Sequence, residues 1–176
     1  MIYLGIDPGK HGAIALLWPG DCTPTLYDLT GDPTEDAATL QAILRLTNNP
    51  RRLQACMELV TAMPSDDDAA GGTRRGMGAT SAFNFGQTVG VLRGILAALG
   101  ISCTQVAPLK WRNKFFPRVK GVRTTRDERK RLSREKAAAL YPAVAHLLTR
   151  VKDSDRADAL LIAHYARHFA QPGSRP

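Results

Sequence analysis

The sequence predicts an α/β fold in which a five-stranded mixed sheet is flanked by helices. Short apolar runs rich in β-branched and aromatic residues alternate with longer segments in which apolar residues recur every three or four positions. The first three short runs are joined only by Pro, Gly and Asp turns, so the first three strands are expected to be antiparallel. The predicted order is βββαβαβαα, which is typical of a sheet covered by helices.

The five predicted strands are bounded by turn residues, and two of them carry a single acid. The strands are Ile2–Ile6, Ala13–Trp18, Pro24–Leu29, Leu53–Val60 and Ile101–Ala107. Asp7 directly follows the first strand, and Glu58 lies in the fourth. A carboxylate in apolar surroundings is costly unless it has a partner. A divalent cation is one such partner, and capping of the neighbouring turn is the alternative.

Four helices are predicted from capping residues and apolar periodicity. They span Thr34 to Thr47, Ser81 to Leu99, Asp127 to Tyr141 and about Ser154 to Phe169. Thr34 is expected to cap the first helix, and Asp153 is expected to cap the last. In the last helix Asp158 shares the apolar stripe, and Asp155 lies three residues before it on the same face. Two carboxylates are therefore expected to point inward from this helix.

Length and composition predict one soluble domain. A chain of 176 residues with 44% apolar and 23% charged residues is suited to a single domain over residues 1–170, with a flexible tail over residues 171–176. No apolar run reaches the roughly 18 residues that a membrane helix needs, and no secretion signal is visible, so we expect a cytoplasmic location. Cys22, Cys56 and Cys103 are expected to be buried free thiols.

The positive charge is concentrated in one segment. Residues 110–136 contain twelve Lys or Arg and three acids, a net charge of +9, whereas the remaining residues, with twelve basic and thirteen acidic groups, carry −1. This pattern favours binding to a polyanion, most simply a nucleic-acid backbone, and a solvated helix face is the alternative. The aromatic Trp111 among these cations suits stacking on a base or anchoring in the core. The predicted DNA contacts in this segment are Lys110, Trp111, Arg112, Lys114, Arg118, Lys120 and Arg123.

Residues 62–78 form a long loop rich in Gly and Asp, with Arg74 and Arg75 at its far side. Because the loop directly follows a strand that bears an acid, we expect it to be functional and its two arginines to contact DNA.

The acids at strand ends and on one helix face together predict a metal site. Asp7, Glu58, Asp155 and Asp158 supply hard oxygen ligands that suit Mg²⁺ or Mn²⁺. With a segment that binds polyanions nearby, the joint interpretation is phosphodiester hydrolysis by two metal ions about 4 Å apart, one activating a water and one stabilising the leaving oxygen.

Several motifs resemble the RuvC family of Holliday-junction resolvases, in particular a phage-type member. They are Gly5-Ile-Asp-Pro-Gly, Met57-Glu58-Leu-Val, Pro108-Leu-Lys-Trp-Arg112, Lys136 ahead of Ala-Ala-Ala-Leu-Tyr-Pro, and Asp155-Arg-Ala-Asp158-Ala-Leu. The resemblance extends from Met1 to about Phe169. It implies an RNase H-like fold, a homodimer in a bacterial or phage-infected host cell, and metal ligation by Asp7, Glu58, Asp155 and Asp158, with two ions per active site.

The resemblance also implies roles for other residues. Lys136 matches a second active-site lysine, and Arg112 matches a lysine that lies near the DNA. Met63 stands near the position where the bacterial enzymes place a junction-probing phenylalanine, which leaves Phe83 or Phe85 as the candidate for that role. The loop after Glu58 is longer than in the bacterial enzymes, so the sequence preference is open.

The expected function is a metal-dependent, structure-selective DNA endonuclease that resolves four-way junctions by paired symmetric nicks during recombination and repair. A related nuclease acting on flaps or forks, and a non-catalytic module that binds branched DNA, remain alternatives. A nucleotide-binding loop is rejected, because Gly5 to Lys10 is one residue short of a Walker A motif and His11 replaces Ser or Thr. An actin-like phosphotransferase would need two such domains.

Overall fold

Five strands form one mixed sheet. The computed structural model describes residues 1–9, 11–20, 22–59, 79–117, 121 and 124–170. The strands are β1 (Ile2–Asp7), β2 (Ala13–Leu17), β3 (Thr25–Asp28), β4 (Leu53–Glu58) and β5 (Ser102–Val106), in the order β3-β2-β1-β4-β5. β1 is antiparallel to β2, as β2 is to β3, whereas β1 and β5 both run parallel to β4. The predicted mixed sheet with three antiparallel leading strands is confirmed.

The described part of the chain contains five α-helices, one more than predicted. They are α1 (Pro33–Thr47), α2 (Ala79–Ala98), α3 (Pro108–Phe115), α4 (Arg126–Leu140) and α5 (Ser154–His168), with short 3₁₀ helices at Pro50–Arg52, Pro142–Leu147 and Val151–Asp153. The additional helix is α3. It has only eight residues and few apolar positions, so it shows too little periodicity to be predicted.

The cap of α1 is Asp32 rather than the predicted Thr34. The Asp32 carboxylate accepts hydrogen bonds from the backbone N–H groups of Thr34 and Glu35 at 2.8 and 3.0 Å. Pro33 occupies the first turn, where its missing N–H carries no cost. Thr34 therefore lies inside the helix, and the true cap is two residues earlier.

The helices form a layer on each side of the sheet. On one face Ile6, Leu16 and Met57 pack against Leu40 of α1 and Leu92 of α2. On the other face the core is built by α3, α4 and α5 against the opposite side chains of the strands, and α5 supplies more of its buried residues than any other element does. Because alternate residues of β1, β2 and β4 are buried on both faces, these strands form the centre of the molecule.

α5 lies directly on β1 at Gly5. A Cβ atom added to Gly5 would lie 2.0 Å from the carbonyl oxygen of Ala159 and 2.3 Å from the backbone nitrogen of Ala163. Only a residue without a side chain allows this approach. Since Ala159 follows Asp158 and Gly5 precedes Asp7 by two residues, the close approach brings an acid of the helix to the acid of the strand.

Some predictions are corrected or fall outside the described residues. Cys56 is buried and Cys103 is half-buried, but Cys22 is exposed in the connection before β3, so the prediction that all three thiols are buried is wrong there. The loop at residues 62–78 and the tail at residues 171–176 lie outside the described residues. Within the described ranges, no helix is long and apolar enough to cross a membrane.

Candidate active site

Two acids lie side by side at the carboxyl ends of neighbouring parallel strands. Ile6 of β1 is in register with Met57 of β4, so Asp7 and Glu58, the last residues of these strands, are adjacent across the ladder. The carboxyl edge of parallel strands is where α/β sheets commonly place their ligands. Both predicted strand acids therefore occupy one edge of the sheet.

The turn after Asp7 is closed by Gly12. Its N–H donates to the carbonyl oxygen of Gly9 at 2.8 Å, and a Cβ atom added to Gly12 would lie 2.1 Å from the carbonyl oxygen of Asp7. The hairpin can be this tight only because Gly12 has no side chain. The turn fixes the backbone that carries the Asp7 carboxylate.

α5 contributes the other two acids from its first turns. Asp158 is only 8% exposed and lies among the core residues of the helix, while Asp155 is half-buried and accepts a hydrogen bond from the Ser154 hydroxyl at 3.0 Å. The inward orientation predicted for Asp158 is therefore observed. Asp155 lies in the first turn of the helix, where the helix dipole stabilises negative charge.

The four acids lie near enough to one another for their charges to interact. Burial raises the pKa of Asp7 well above its usual range, and the charges of Asp158, Glu58 and Asp155 raise it further. Burial, followed by the charge of Asp158, raises the pKa of Glu58 to about 7. Burial also raises the pKa of Asp158, with a smaller contribution from Asp155. Like charges in a poorly solvated site disfavour simultaneous ionisation.

One arginine offsets part of this repulsion. Arg112 of α3 donates through Nη2 to Oδ2 of Asp158 at 2.5 Å, and the two side chains are 25% and 11% exposed. The guanidinium lowers the pKa values of Asp7, Glu58 and Asp158. A single cation therefore serves as the counter-charge for three of the four acids.

Two neutral donors support the same carboxylates. Trp111 is fully buried, and its indole N–H lies near enough to Glu58 to lower the pKa of that acid. The buried hydroxyl of Ser133 in α4 has the same effect on the pKa of Asp158. Neither donor completes a well-formed hydrogen bond among the described residues, so each retains capacity to orient its acid.

The donor set fits a hard divalent cation. All four groups are carboxylates, and Oδ1 of Asp158 is buried without a hydrogen-bond partner among the described residues. Within the same described part of the chain, however, no three acidic, histidine or cysteine side chains are grouped closely enough to make a finished metal-binding cluster. The acids are thus near one another but not assembled as ligands, while Arg112 holds one of them.

A second set of charges fixes the start of α5. Asp153 occupies the N-cap position of α5 as predicted, but its side chain makes no capping hydrogen bond. Its carboxylate instead accepts from the backbone N–H of Arg150 at 2.7 Å and from the Arg150 guanidinium. Arg156 pairs with Asp28 at the end of β3 through two nitrogens. These contacts tie the helix turn that carries Asp155 to the sheet. The role of Arg156 was not predicted, because an arginine beside an acidic motif does not indicate a partner as distant in sequence as Asp28.

Three further predicted site residues are lysines of α3 and α4. Lys136 is half-buried on α4, and its charge acts on His164 of α5. Lys110 and Lys114 are exposed on α3, with Lys114 Nζ 5.4 Å from the centre of the Phe169 ring. The active-site role of Lys136 and the DNA contacts of the two α3 lysines stay predictions.

The aromatic candidates divide into one core residue and two at the start of α2. Trp111 has no exposed surface, so its predicted role as a DNA contact is corrected: of the two alternatives, the ring anchors the core. Phe83 is 72% exposed and Phe85 is half-buried. The other predicted DNA contacts lie outside the described residues; they are Arg74, Arg75, Arg118, Lys120 and Arg123.

Comparison with known proteins identifies the fold. A solved structure of Thermus thermophilus RuvC in complex with a Holliday junction substrate matches with a TM-score of 0.55 and 16% identity, over 96% of this chain and 97% of that chain. A second Thermus thermophilus RuvC structure matches with a TM-score of 0.53 and 16% identity, over 95% and 96%. This chain has a RuvC-like fold. The predicted RNase H-like fold class is therefore confirmed.

The similarity to solved structures shows the fold of this chain and no more. No protein-family model and no curated protein sequence matches the chain. The RuvC-like fold is shared at 16% identity, which does not distinguish a phage-type member from any other.

Proposed function

We propose that this protein is a metal-dependent, structure-selective DNA endonuclease that resolves four-way junctions by paired nicking. The observation that carries the proposal is that two strand ends and one helix bring four acids together: Asp7, Glu58, Asp155 and Asp158. The charges of the other three acids raise the pKa of Asp7, and the charge of Asp158 raises the pKa of Glu58. The RuvC-like fold supports the proposal, because one of its solved neighbours is in complex with a Holliday junction substrate.

The four acids would hold Mg²⁺ or Mn²⁺, two ions per site. Bound divalent cations supply Lewis acidity for phosphodiester hydrolysis and lower the pKa of bound water. The chain's own residues orient the ligands: Ser133 and Trp111 direct donors toward Asp158 and Glu58. Lys136, on the helix that carries Ser133, is our candidate for a second cation near the reacting phosphate. Deprotonation of the acids is a precondition for metal binding.

The DNA backbone would bind on the side of the sheet covered by α3, α4 and α5. Lys110 and Lys114 are exposed on α3, and Arg126 and Arg129 are exposed on α4. These side chains can neutralise phosphates without reading base sequence, so affinity would fall steeply with salt concentration. Junction selectivity would come from the shape of the branched DNA, and exposed Phe83 is our candidate for a contact at the crossover.

Paired nicking requires two active sites, and α2 offers the surface for a homodimer. Gly86, Gly90 and Gly94 recur every fourth residue on the exposed side of α2, and a Cβ atom added to any of them would contact nothing within 4 Å. Small residues at this spacing let a second helix approach closely. We propose that two copies pack through this face, because a twofold dimer presents two equal sites to two strands.

Cleavage of labelled substrates tests the nuclease proposal. A four-way junction, a fork and a linear duplex are incubated with Mn²⁺, Mg²⁺ or EDTA. We expect the junction to be cut at paired positions with either metal and uncut in EDTA. Asp7→Asn should reduce the rate by at least about a hundredfold, because it removes a ligand. Asp127→Asn, which changes an exposed acid on α4, is the matched control and should cut normally.

Different results would contradict the metal mechanism, the junction assignment and the dimer. Cleavage in EDTA, or undiminished cleavage by Asp7→Asn, contradicts the metal mechanism. Preferred cutting of forks contradicts the junction assignment, and metal-independent junction binding without cleavage indicates a non-catalytic module. Gly90→Leu places a large side chain in the proposed dimer contact, so it should give a monomeric mass by analytical ultracentrifugation. Gln41→Leu changes an exposed position of α1 outside that contact and should leave the mass that of a dimer.

A further inference from the structure

One ion pair joins the acids to the helix that follows β5. Arg112 Nη2 bonds Oδ2 of Asp158, while Oδ1 of the same carboxylate is buried without a partner among the described residues. The ion pair is partly shielded from water, so it is stronger than an exposed surface pair. Asp158 thus has one oxygen paired with a cation from its own chain and one oxygen that accepts no well-formed hydrogen bond from the described residues.

The position of Arg112 is fixed by a platform. Its guanidinium carbon lies 4.6 Å from the centre of the Trp111 ring, within the range of a cation–π interaction. Trp111 is fully buried and does not move independently of the core. The buried ring therefore holds the guanidinium beside the Asp158 carboxylate.

We propose that Arg112 is a latch that occupies Asp158 in the metal-free protein and competes with the divalent cation for its oxygen. This inference rests on the proposed metal-dependent function of the four acids. Arg112 stabilises the unassembled acid cluster by countering its repulsion, and a cation that engages Asp158 displaces the guanidinium. The displaced group stays on Trp111 beside the cluster, where it is available to an anionic oxygen of the DNA backbone.

The proposal distinguishes Arg112 from a residue that only supports the fold. A supporting residue would orient Asp158 for the cation, so its loss would weaken metal binding. A competing residue must be displaced, so its loss tightens metal binding even though the metal-free protein becomes less stable. The two roles therefore predict opposite changes in one measurable quantity.

Binding of Mn²⁺ alone, without DNA, tests the latch. The dissociation constant is measured for the unaltered protein and for Arg112→Met by electron paramagnetic resonance at pH 8, above the pKa of about 7 of Glu58. We expect Arg112→Met to bind Mn²⁺ about tenfold more tightly, which corresponds to about 1.4 kcal/mol. Its melting temperature in EDTA should be lower than that of the unaltered protein, and its rise on adding Mn²⁺ should be larger.

Two further variants make the result specific. Arg131→Met removes a guanidinium from an exposed ion pair with Glu135 on α4 and should leave Mn²⁺ affinity unchanged. Arg112→Lys keeps the charge but loses the planar fork, so its affinity should fall between those of the unaltered protein and Arg112→Met. Arg112→Lys also decides the question if the methionine variant does not fold in EDTA.

The outcomes separate the latch from the proposed function. Unchanged or weaker Mn²⁺ binding in both Arg112 variants overturns the latch and leaves the metal-dependent nuclease standing. An absence of Mn²⁺ binding in the unaltered protein overturns both proposals. Tighter binding in the Arg112 variants but not in Arg131→Met supports the latch.

Discussion

Replacing Glu58 with glutamine should stabilise the metal-free protein at neutral pH. The pKa of Glu58 is raised from 4.5 to about 7, so its carboxylate is costly to ionise in the folded protein. A shift of about 2.5 units corresponds to about 3 kcal/mol of folding free energy. Glutamine has nearly the same shape and no charge, so the variant avoids this cost.

The sign follows from proton binding. The folded state holds the Glu58 proton more tightly than the unfolded state, so this contribution to stability is fully present below pH 4.5. It is lost as the pH rises toward about 7. Glu58→Gln and the unaltered protein should therefore be about equally stable at pH 4.5. At pH 8 the variant should be more stable by about 3 kcal/mol.

Urea unfolding in EDTA at pH 4.5 and pH 8, followed by circular dichroism, measures the two differences. Glu135→Gln is the matched control, because Glu135 is exposed and, among the described residues, pairs with Arg131 alone; it should show no gain at pH 8. If Glu58→Gln is less stable than the unaltered protein by the same amount at both pH values, ionisation of Glu58 does not destabilise the folded protein. That result would mean that the carboxylate is well solvated or forms contacts that the amide cannot reproduce.

Three further variants probe the surroundings of the site. Gly5→Ala should lower the free energy of unfolding by about 3 kcal/mol in urea titrations, because the new methyl group meets the backbone of α5, and an unchanged urea midpoint would contradict the close approach. Arg156→Met should lower the free energy of unfolding by about 1 kcal/mol, because it removes the ion pair with exposed Asp28. An unchanged urea midpoint would contradict a role of this pair in holding α5. Replacing both Lys110 and Lys114 with glutamine should reduce the slope of log affinity for DNA against log salt by about 2, and an unchanged slope would place the DNA elsewhere.

The strands and the orientation of one helix acid were predictable because they depend on local patterns. Each strand is a short apolar run that ends at turn residues, and burial on both faces strengthens that pattern. Asp158 interrupts an apolar stripe that repeats with helical spacing, so its inward direction follows from the period alone. The edge shared by Asp7 and Glu58 follows from the parallel pairing of the strands that carry them.

The contacts that assemble the site were not predictable, because they join residues far apart in sequence. Gly5 belongs to the opening motif, but the sequence does not show that Ala159 lies against it. Ser133 sits in a highly charged helix and has no visible signal of contact with Asp158. The sequence around Trp111 fits two roles, because an aromatic residue among cations can stack on a DNA base or pack in the core. The burial of Trp111 in the structure shows that it packs in the core.

The burial that makes the acids costly also makes them suitable for a cation. As the pH rises through about 7, Glu58 loses its proton, the repulsion within the cluster grows and the metal-free protein becomes less stable. The same loss of protons frees carboxylate oxygens for a divalent ion. Under the proposed function, metal affinity and the instability of the metal-free protein should therefore rise over the same pH range, because both would result from the same ionisation. Arg112 limits the instability by pairing with Asp158, and under the latch proposal this protection weakens the affinity for the metal.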